Sequence, residues 1–375
     1  MTTLERNILV TIIILSGLAL RFYRINQPIL EYFPERQTQT AEITRNIYAN
    51  GWNDFWIPKI RYEKGYPTPL VLELPIYNLI TAGLYSSFGQ NLILGRLVSI
   101  FAYLISSIFF ALIILKHSDK KLLFPALLVF VFSPLHVLVS RSYQPDELAL
   151  MFLLISIYYS SYFFLMISGF IKLPFYLFGL IFTLKKHTKI RLGILKYLIF
   201  FMPIIVWSIR ASMIMKGEGY SGAYAILNWF DPLFFLDYRF YTSVFNILHI
   251  NALTTIGLLF FIIGLFYSWR EKSMALWKTW LFASILYAAF FNRHVSTHEY
   301  YSLPLMPPLA TFTGAGMSAV FKSIDLKNET LRKFFVLSIL LLLTFALIVP
   351  SLTRIHNFDL NSVNPILIER YNNLF

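Results

Sequence analysis

Long apolar runs dominate this chain of 375 residues and restrict what it can fold into. Crossing a hydrocarbon core of about 30 Å takes about 20 apolar residues in a helix, and only helices or closed barrels satisfy the backbone in lipid. The runs are continuous rather than alternating, so we predict an all-α polytopic membrane protein. About eleven transmembrane helices are predicted, at Asn7–Leu20, Pro69–Phe88, Leu92–Leu115, Leu122–Val139, Glu147–Leu165, Ile171–Leu184, Leu195–Met213, Ile250–Ser268, Leu276–Phe291, Leu303–Phe321 and Phe334–Val349.

Composition supports this class and narrows the partners. Hydrophobic residues make up 57% of the chain and charged residues only 14%, against about 25% in a typical soluble domain. The net charge of +13 comes from bases scattered between apolar runs, which indicates cationic loops and anionic lipid headgroups rather than nucleic acid. With no cysteine, the chain has no disulfide, no thiolate metal site and no cysteine nucleophile.

Two acidic positions lie within or beside apolar runs, where a charged side chain costs about 2.5 kcal/mol or more on insertion scales. Glu73 lies in "LVLELPIY", and Asp146 in "QPDELAL" opens a helical run. Such acids are candidate functional residues. The simpler alternatives are an interfacial carboxylate for Glu73 and an N-terminal helix cap for Asp146.

A polar stretch after the first apolar run also attracts attention. It reads "EYFPERQTQTAEITRNIYANG", from Glu31 to Gly51, and "AEITRNIY" is typical of a short helix. By itself this stretch would be interpreted as a solvated juxtamembrane helix whose Glu35 and Arg36 meet water. The pattern of the whole chain favours a functional interpretation.

Five motifs in order carry a resemblance to a known family. They are "ERQTQTAEITRNIYANG", the segment from "IPKIRYEKGYP" to "LGRLVS", "SPLHVLVSRSYQPDELALMF", "GFIKLPFYLF" and "HEYYSLPLMPPLA". In this order they resemble the polyprenyl-phosphate-sugar-dependent GT-C glycosyltransferases, and most closely the protein mannosyltransferase and ArnT-like group. The resemblance implies a GT-C-like bundle whose first extracytoplasmic loop carries juxtamembrane helices. It also implies one transmembrane domain over residues 1–375, with a catalytic-module-like part to about residue 210, variable helices over 211–375 and no separate soluble domain.

The resemblance also implies catalytic roles. In this family an acid in the first extracytoplasmic loop, just before a helix of the "AEI" kind, is the catalytic base, and a second acid at the start of a later helix assists. Asp146 matches the second acid. At the first position the family has an Asp-Glu pair where this chain has Arg36 and Gln37, so the candidate bases are Glu35, our first choice, and Glu31.

A glycosyl transfer from a lipid phosphate also needs cations at the leaving group and polar contacts to the sugar. The chain offers Arg36, Arg141 and Arg293 for the phosphate, with Lys64 and Lys172 as further cations. The remaining candidate substrate-binding residues are Gln37, Glu73, His298, Tyr300 and Tyr301. The alternatives for these groups are cationic loop residues and an interfacial aromatic belt.

The predicted activity is therefore transfer of a monosaccharide from a polyprenyl-phosphate donor to a hydroxyl of a lipid, glycan or protein, with inversion. The chain is expected in the bacterial inner or plasma membrane with its active site outside the cytoplasm. No cofactor is predicted, although His294 and His298 stand four residues apart, as in some metal sites. A membrane transporter or lipid flippase, or an inactive relative that binds the lipid carrier, remain the alternatives.

Overall fold

The computed structural model describes residues 2–61, 67–183, 190–218, 229–324 and 328–374. Helices make up 83% of the structure, which confirms the all-α class. In chain order the α-helices are α1 Thr3–Phe22, α2 Pro34–Asn50, α3 Trp52–Trp56, α4 Ile76–Phe88, α5 Leu92–His117, α6 Leu123–Phe132, α7 Pro134–Arg141, α8 Asp146–Tyr159, α9 Tyr162–Ile171, α10 Leu180–Thr183, α11 Ile190–Gly217, α12 Tyr238–Asn246, α13 Thr254–Ser268, α14 Ala275–Phe290, α15 Asn292–Thr297, α16 Met306–Ser323, α17 Glu329–His356 and α18 Pro365–Asn372.

Several short elements join these helices. A two-stranded antiparallel hairpin pairs β1, Lys59–Ile60, with β2, Thr68–Pro69. The remaining helical turns are a π-helix at Ile247–Ala252 and 3-10 turns at Lys120–Leu122, Leu173–Gly179, Pro232–Leu236, Lys272–Met274, Glu299–Leu305 and Leu360–Ser362.

Four of the described helices, α1, α5, α11 and α17, are long and apolar enough to cross a membrane. Two more pairs of helical segments meet the same criterion together, but they bend by 55° at Ser133 and by 104° at Leu253. This gives up to six spans by length and composition within the described residues, so the polytopic class is confirmed. The number of eleven crossings stays a prediction.

Several predicted spans are not single straight helices, among them Leu122–Val139 and Ile250–Ser268, which contain the bends at Ser133 and Leu253. The run Glu147–Leu165 does not form a single helix, because α8 ends at Tyr159 and Ser160 takes a left-handed conformation with φ of 54°. Helix α9 then begins at Tyr162 and packs against α8. At about 1.5 Å per residue, the 14 residues of α8 extend only about 21 Å, less than the hydrocarbon thickness.

The chain packs as two compact units made from interleaved segments. Unit 1 contains Met1–Arg21, Leu104–Leu138 and Pro232–Arg354, and unit 2 contains Phe22–Tyr103, Val139–Asp231 and Ile355–Phe375. The division near residue 210 into a catalytic-module-like part and variable helices stays a prediction.

The core of unit 1 is built on α16, which packs against α13 and α6. Helices α13 and α16 approach so closely that only glycine fits at their crossing. A Cβ atom on Gly264 would lie 1.8 Å from the carbonyl oxygen of Phe312, and one on Gly316 would lie 1.9 Å from that of Phe260. Small residues at such crossings are typical of membrane helices, because van der Waals packing rather than water exclusion holds them together.

Unit 2 is organised around α2, which packs against α4, α3 and α18. On the α4 side, the Asn78 amide donates to the Thr40 carbonyl at 2.7 Å and to the Thr44 hydroxyl at 3.0 Å. A small apolar core that includes Ile43 and Ile47 of α2 lies beside this polar contact. Helix α2 is thus fixed on several sides, although its sequence is polar.

The last segment of unit 2, residues 355–374, folds back onto the first. Helix α18 lies against α2, and four hydrogen bonds reach backbone carbonyls of this segment from the side chains of Arg24, Gln27, Arg45 and Gln90. We call residues 355–374 the return segment. It contributes to the packing of α2, the helix that carries the candidate base.

Candidate active site in unit 2

The first turn of α2 presents the candidate base. Phe33 precedes it in a left-handed conformation with φ of 45°, and Pro34 takes the first helical position, where its missing N–H costs nothing. Glu35 follows with its side chain exposed, while Arg36 and Gln37 are buried. A carboxylate in the first turn is stabilised by the helix dipole. Glu35 is therefore an accessible carboxyl group in the first turn of a helix.

Arg36 forms an ion pair with Glu73, which lies just before α4. The two side chains are only 10% and 19% exposed, so water screens this pair less than a surface pair. The pair joins the first turn of α2 to the segment before α4. Arg36 thus holds an acid that lies 37 positions away in another segment.

Gln37 connects α2 to the segment that precedes α8. Its side-chain oxygen accepts from the Tyr143 backbone N–H at 2.7 Å, and its side-chain nitrogen donates to the Tyr32 carbonyl. The Tyr143 hydroxyl lies 3.0 Å from that of Tyr85, and burial raises the pKa of Tyr143 well above its ordinary value. Gln37 thus serves as a structural link, with both ends of its amide in use.

Asp146 opens α8 and is completely buried. Its carboxylate lies 3.3 Å from the Lys172 ammonium, which is itself only 6% exposed and follows the end of α9. The Leu74 N–H donates to the Phe170 carbonyl at 3.0 Å, so the neighbours of Glu73 and Lys172 also touch. Because Asp146 is paired with a buried cation, its role goes beyond that of an ordinary helix cap.

We call five charged residues the paired-charge site: Glu35, Arg36, Glu73, Asp146 and Lys172. They form one buried and one largely buried ion pair, in segments that the Leu74–Phe170 hydrogen bond connects, and one exposed carboxylate next to Arg36 in sequence. Such an arrangement can offer a base, cations for an anionic leaving group and acceptors for hydroxyl groups.

Glu31 lies in a different arrangement. Its two carboxylate oxygens pair with Arg96 at 3.0 Å and with Arg141 at 3.1 Å, and all three side chains are at most 2% exposed. Both guanidinium groups also donate to backbone carbonyls of residues 23–28. We call these three residues the buried clamp. With both oxygens of Glu31 paired, the geometry favours an anchoring role over proton abstraction.

Arg141, a predicted phosphate ligand, is a member of this clamp and is 1% exposed. Arg96 was missed by sequence reasoning, although a charged residue inside the apolar run "LILGRLVSI" was a visible signal. Lys64, another predicted ligand, lies outside the described residues.

The remaining predicted ligands lie in unit 1. The rings of His298 and Tyr300 stack at 5.4 Å between centroids, and His298 and Tyr301 lie at 6.2 Å. Glu299, between them in sequence, accepts from Arg354 at 2.9 Å. Arg293 is exposed on α15. His298, Tyr300 and Tyr301 therefore form a cluster of aromatic rings within unit 1.

The metal alternative gains no third ligand. The rings of His294 and His298 lie 6.3 Å apart between centroids. Within the part of the chain that the structure describes, no group of three or more histidine, aspartate or glutamate side chains is placed to hold a metal ion.

The fold matches that of solved lipid-dependent transferases. No protein-family model matches the sequence, and no curated protein matches it in sequence. The structure of ArnT from Cupriavidus metallidurans bound to undecaprenyl phosphate matches with a TM-score of 0.57 and 14% identity, over 97% of this chain and 75% of that one. The structure of the oligosaccharyltransferase AglB from Archaeoglobus fulgidus, in complex with an inhibitory peptide and a dolichol-phosphate, matches with a TM-score of 0.58 and 11% identity. That match covers 93% of this chain and 56% of AglB, so the chain spans little more than half of AglB. The GT-C fold predicted from the motifs is confirmed.

Proposed function

We propose that this chain is an integral membrane glycosyltransferase that transfers a monosaccharide from a polyprenyl phosphate to a hydroxyl acceptor on the extracytoplasmic face, with inversion. The observation that carries the proposal is the paired-charge site within a GT-C fold. The bound undecaprenyl phosphate of ArnT and the dolichol-phosphate of AglB support a lipid phosphate as the carrier.

The reaction assigns a role to each charged group. The acceptor oxygen attacks the anomeric carbon while its proton passes to Glu35, and the bond from that carbon to the phosphate oxygen breaks with its electrons on the phosphate. A positioned base is worth about 100-fold to 10,000-fold in rate. Glu35 is the best candidate, because Glu31 is locked in the buried clamp and Glu73 and Asp146 are each paired with a cation.

The leaving phosphate is a weak base and needs cations rather than an acid. The Lys172 ammonium, which Asp146 holds at 3.3 Å, supplies positive charge and N–H donors for this phosphate. Arg36 likewise has more N–H groups than Glu73 occupies. Asp146 and Glu73 hold these two cations in position and prevent them from turning away, which makes them positioning residues in this mechanism.

The test uses the purified full chain in liposomes, a radiolabelled polyprenyl-phosphate sugar and a membrane extract as the source of acceptors. Wild type is expected to form a labelled product, and Glu35→Gln to reduce turnover by about 100-fold or more without loss of folding. Asp146→Asn is expected to reduce turnover as well. The matched control is Glu329→Gln in α17, where the carboxylate is 67% exposed and pairs with the exposed Lys333.

Wild-type turnover in both Glu35→Gln and Asp146→Asn would show that the site assignment is wrong. The same assay separates the alternative functions. Label that crosses the liposome membrane without a new glycosidic bond would indicate a transporter, and lipid-sugar binding without any turnover would indicate an inactive relative.

A further inference from the structure

Gln144, two residues before Asp146 of the paired-charge site, has a polar side chain that no contact explains. It is completely buried, and within the described residues neither its side-chain oxygen nor its side-chain nitrogen has a hydrogen-bond partner. Buried amides in native proteins nearly always have partners, and an exception calls for a physical reason. None of the roles assigned above uses this side chain.

The backbone that carries Gln144 is held on several sides. The Ser99 hydroxyl donates to the Ser142 carbonyl at 2.7 Å and approaches the Gln144 carbonyl at 3.2 Å. The ring of Tyr143 packs against Gly95, where an added Cβ atom would lie 2.1 Å from a ring carbon of Tyr143. Because Gln37 also binds the Tyr143 N–H, the segment has little freedom to carry the Gln144 amide to another partner.

Two residues further along the chain is Asp146, with Pro145 between them. Neither oxygen of Asp146 has a hydrogen-bond partner in the described structure, and its one close contact is the Lys172 ammonium at 3.3 Å. This short segment and its ion pair therefore supply three buried polar groups of different kinds: an amide that both donates and accepts, a carboxylate that only accepts and an ammonium that only donates.

Sugar hydroxyls match this set, because each hydroxyl both donates and accepts. We propose that the Gln144 amide hydrogen-bonds to hydroxyl groups of the sugar on the lipid donor and so determines which sugar the site accepts. This inference rests on the proposed function and adds the residue that discriminates between donors. A site built to hydrogen-bond a hydroxyl rejects an analogue that lacks it by far more than an apolar pocket does.

The experiment measures binding and therefore does not require turnover. The full chain in lipid nanodiscs is titrated with undecaprenyl phosphate alone and with undecaprenyl phosphate carrying mannose, glucose or arabinose. In wild type at least one sugar is expected to raise affinity about 10-fold or more over the bare lipid phosphate. In Gln144→Leu this gain is expected to disappear, while affinity for undecaprenyl phosphate itself stays unchanged.

The matched control is Gln90→Leu, the same substitution at a glutamine of unit 2 whose amide donates to the Leu374 carbonyl at 2.6 Å. It is expected to keep the full gain from the sugar. Gln144→Glu keeps an acceptor and loses the donor, and it is expected to change the order of preference among the sugars. This variant serves as the test if Gln144→Leu does not fold.

Equal affinity of wild type for all four lipids would overturn the proposal. So would an unchanged gain in Gln144→Leu, above all if the melting temperature of this variant falls, because the amide would then serve only the fold. A gain that is lost in Gln144→Leu, in a protein that shows no turnover, would support Gln144 as a sugar ligand and refute the transferase. Turnover with unchanged selectivity in Gln144→Leu would refute the role of Gln144 alone.

Discussion

Removing the negative charge of the buried clamp offers a quantitative test of how unit 2 is held together. In Glu31→Gln the side chain keeps its shape, but the two guanidinium groups lose the carboxylate that they share. The N···O distances of 3.0 and 3.1 Å correspond to about 5 kcal/mol of attraction each at an effective dielectric constant of 20. The free-energy cost of removing the three charges from water cancels most of this attraction, because each side chain is at most 2% exposed.

Breaking a buried pair costs about 3 to 5 kcal/mol, because an uncompensated charge stays behind. Arg96 and Arg141 keep their hydrogen bonds to backbone carbonyls, which places the expected loss near the lower end, at about 3 kcal/mol. Equilibrium unfolding of the full chain in mixed micelles with increasing SDS measures this loss.

The control is again Glu329→Gln, whose ion pair is exposed on both sides and is therefore expected to contribute little to stability. A double-mutant cycle of Glu31→Gln with Arg141→Gln should show coupling, since the two residues share a contact. If Glu31→Gln unfolds at the same denaturant concentration as the control, the clamp does not stabilise unit 2 and the argument from burial fails.

Three further predictions concern packing, the return segment and pH. Gly316→Leu drives a side chain into a carbonyl of α13 and is expected to prevent stable folding of unit 1, whereas Gly83→Leu, with nothing within 4 Å of its Cβ, should melt near the wild-type temperature. Arg45→Ala removes a hydrogen bond to the end of α18, so limited proteolysis should release α18 earlier, and Arg45→Lys should partly restore protection. The Arg239 side chain and N–H hold the pKa of Asp237 below its ordinary value. This carboxylate therefore stabilises the start of α12 at neutral pH, and amide exchange there should accelerate only as the pH falls below about 4.

Much of the fold follows from hydropathy and resemblance, but the positions of the breaks do not. The run Glu147–Leu165 is apolar apart from a few serines and suits a continuous span, yet the chain reverses at Ser160. Tertiary packing of α9 against α8 decides this reversal, and a single sequence does not display that packing. The bend of 104° at Leu253 was likewise hidden inside the predicted span Ile250–Ser268.

The candidate site was predictable as separate residues and not as pairs. Asp146 was found from its place before a helix, and Glu73 from its place beside an apolar run. Their cations were not assigned, because Arg36 and Glu73 are separated by 37 positions and nothing in the sequence marks their pairing. Lys172 was placed behind the arginines as a phosphate ligand, and only the structure connects it to Asp146.

The interleaving of the two units has a consequence for biosynthesis. Each unit takes a piece from the early, the middle and the late part of the chain, and residues 355–375 of unit 2 leave the ribosome after nearly everything else. Helix α2 is therefore translated more than 300 residues before the return segment that packs on it. Unit 2 therefore gains the contact between α18 and α2 only once residues 355–374 have been translated.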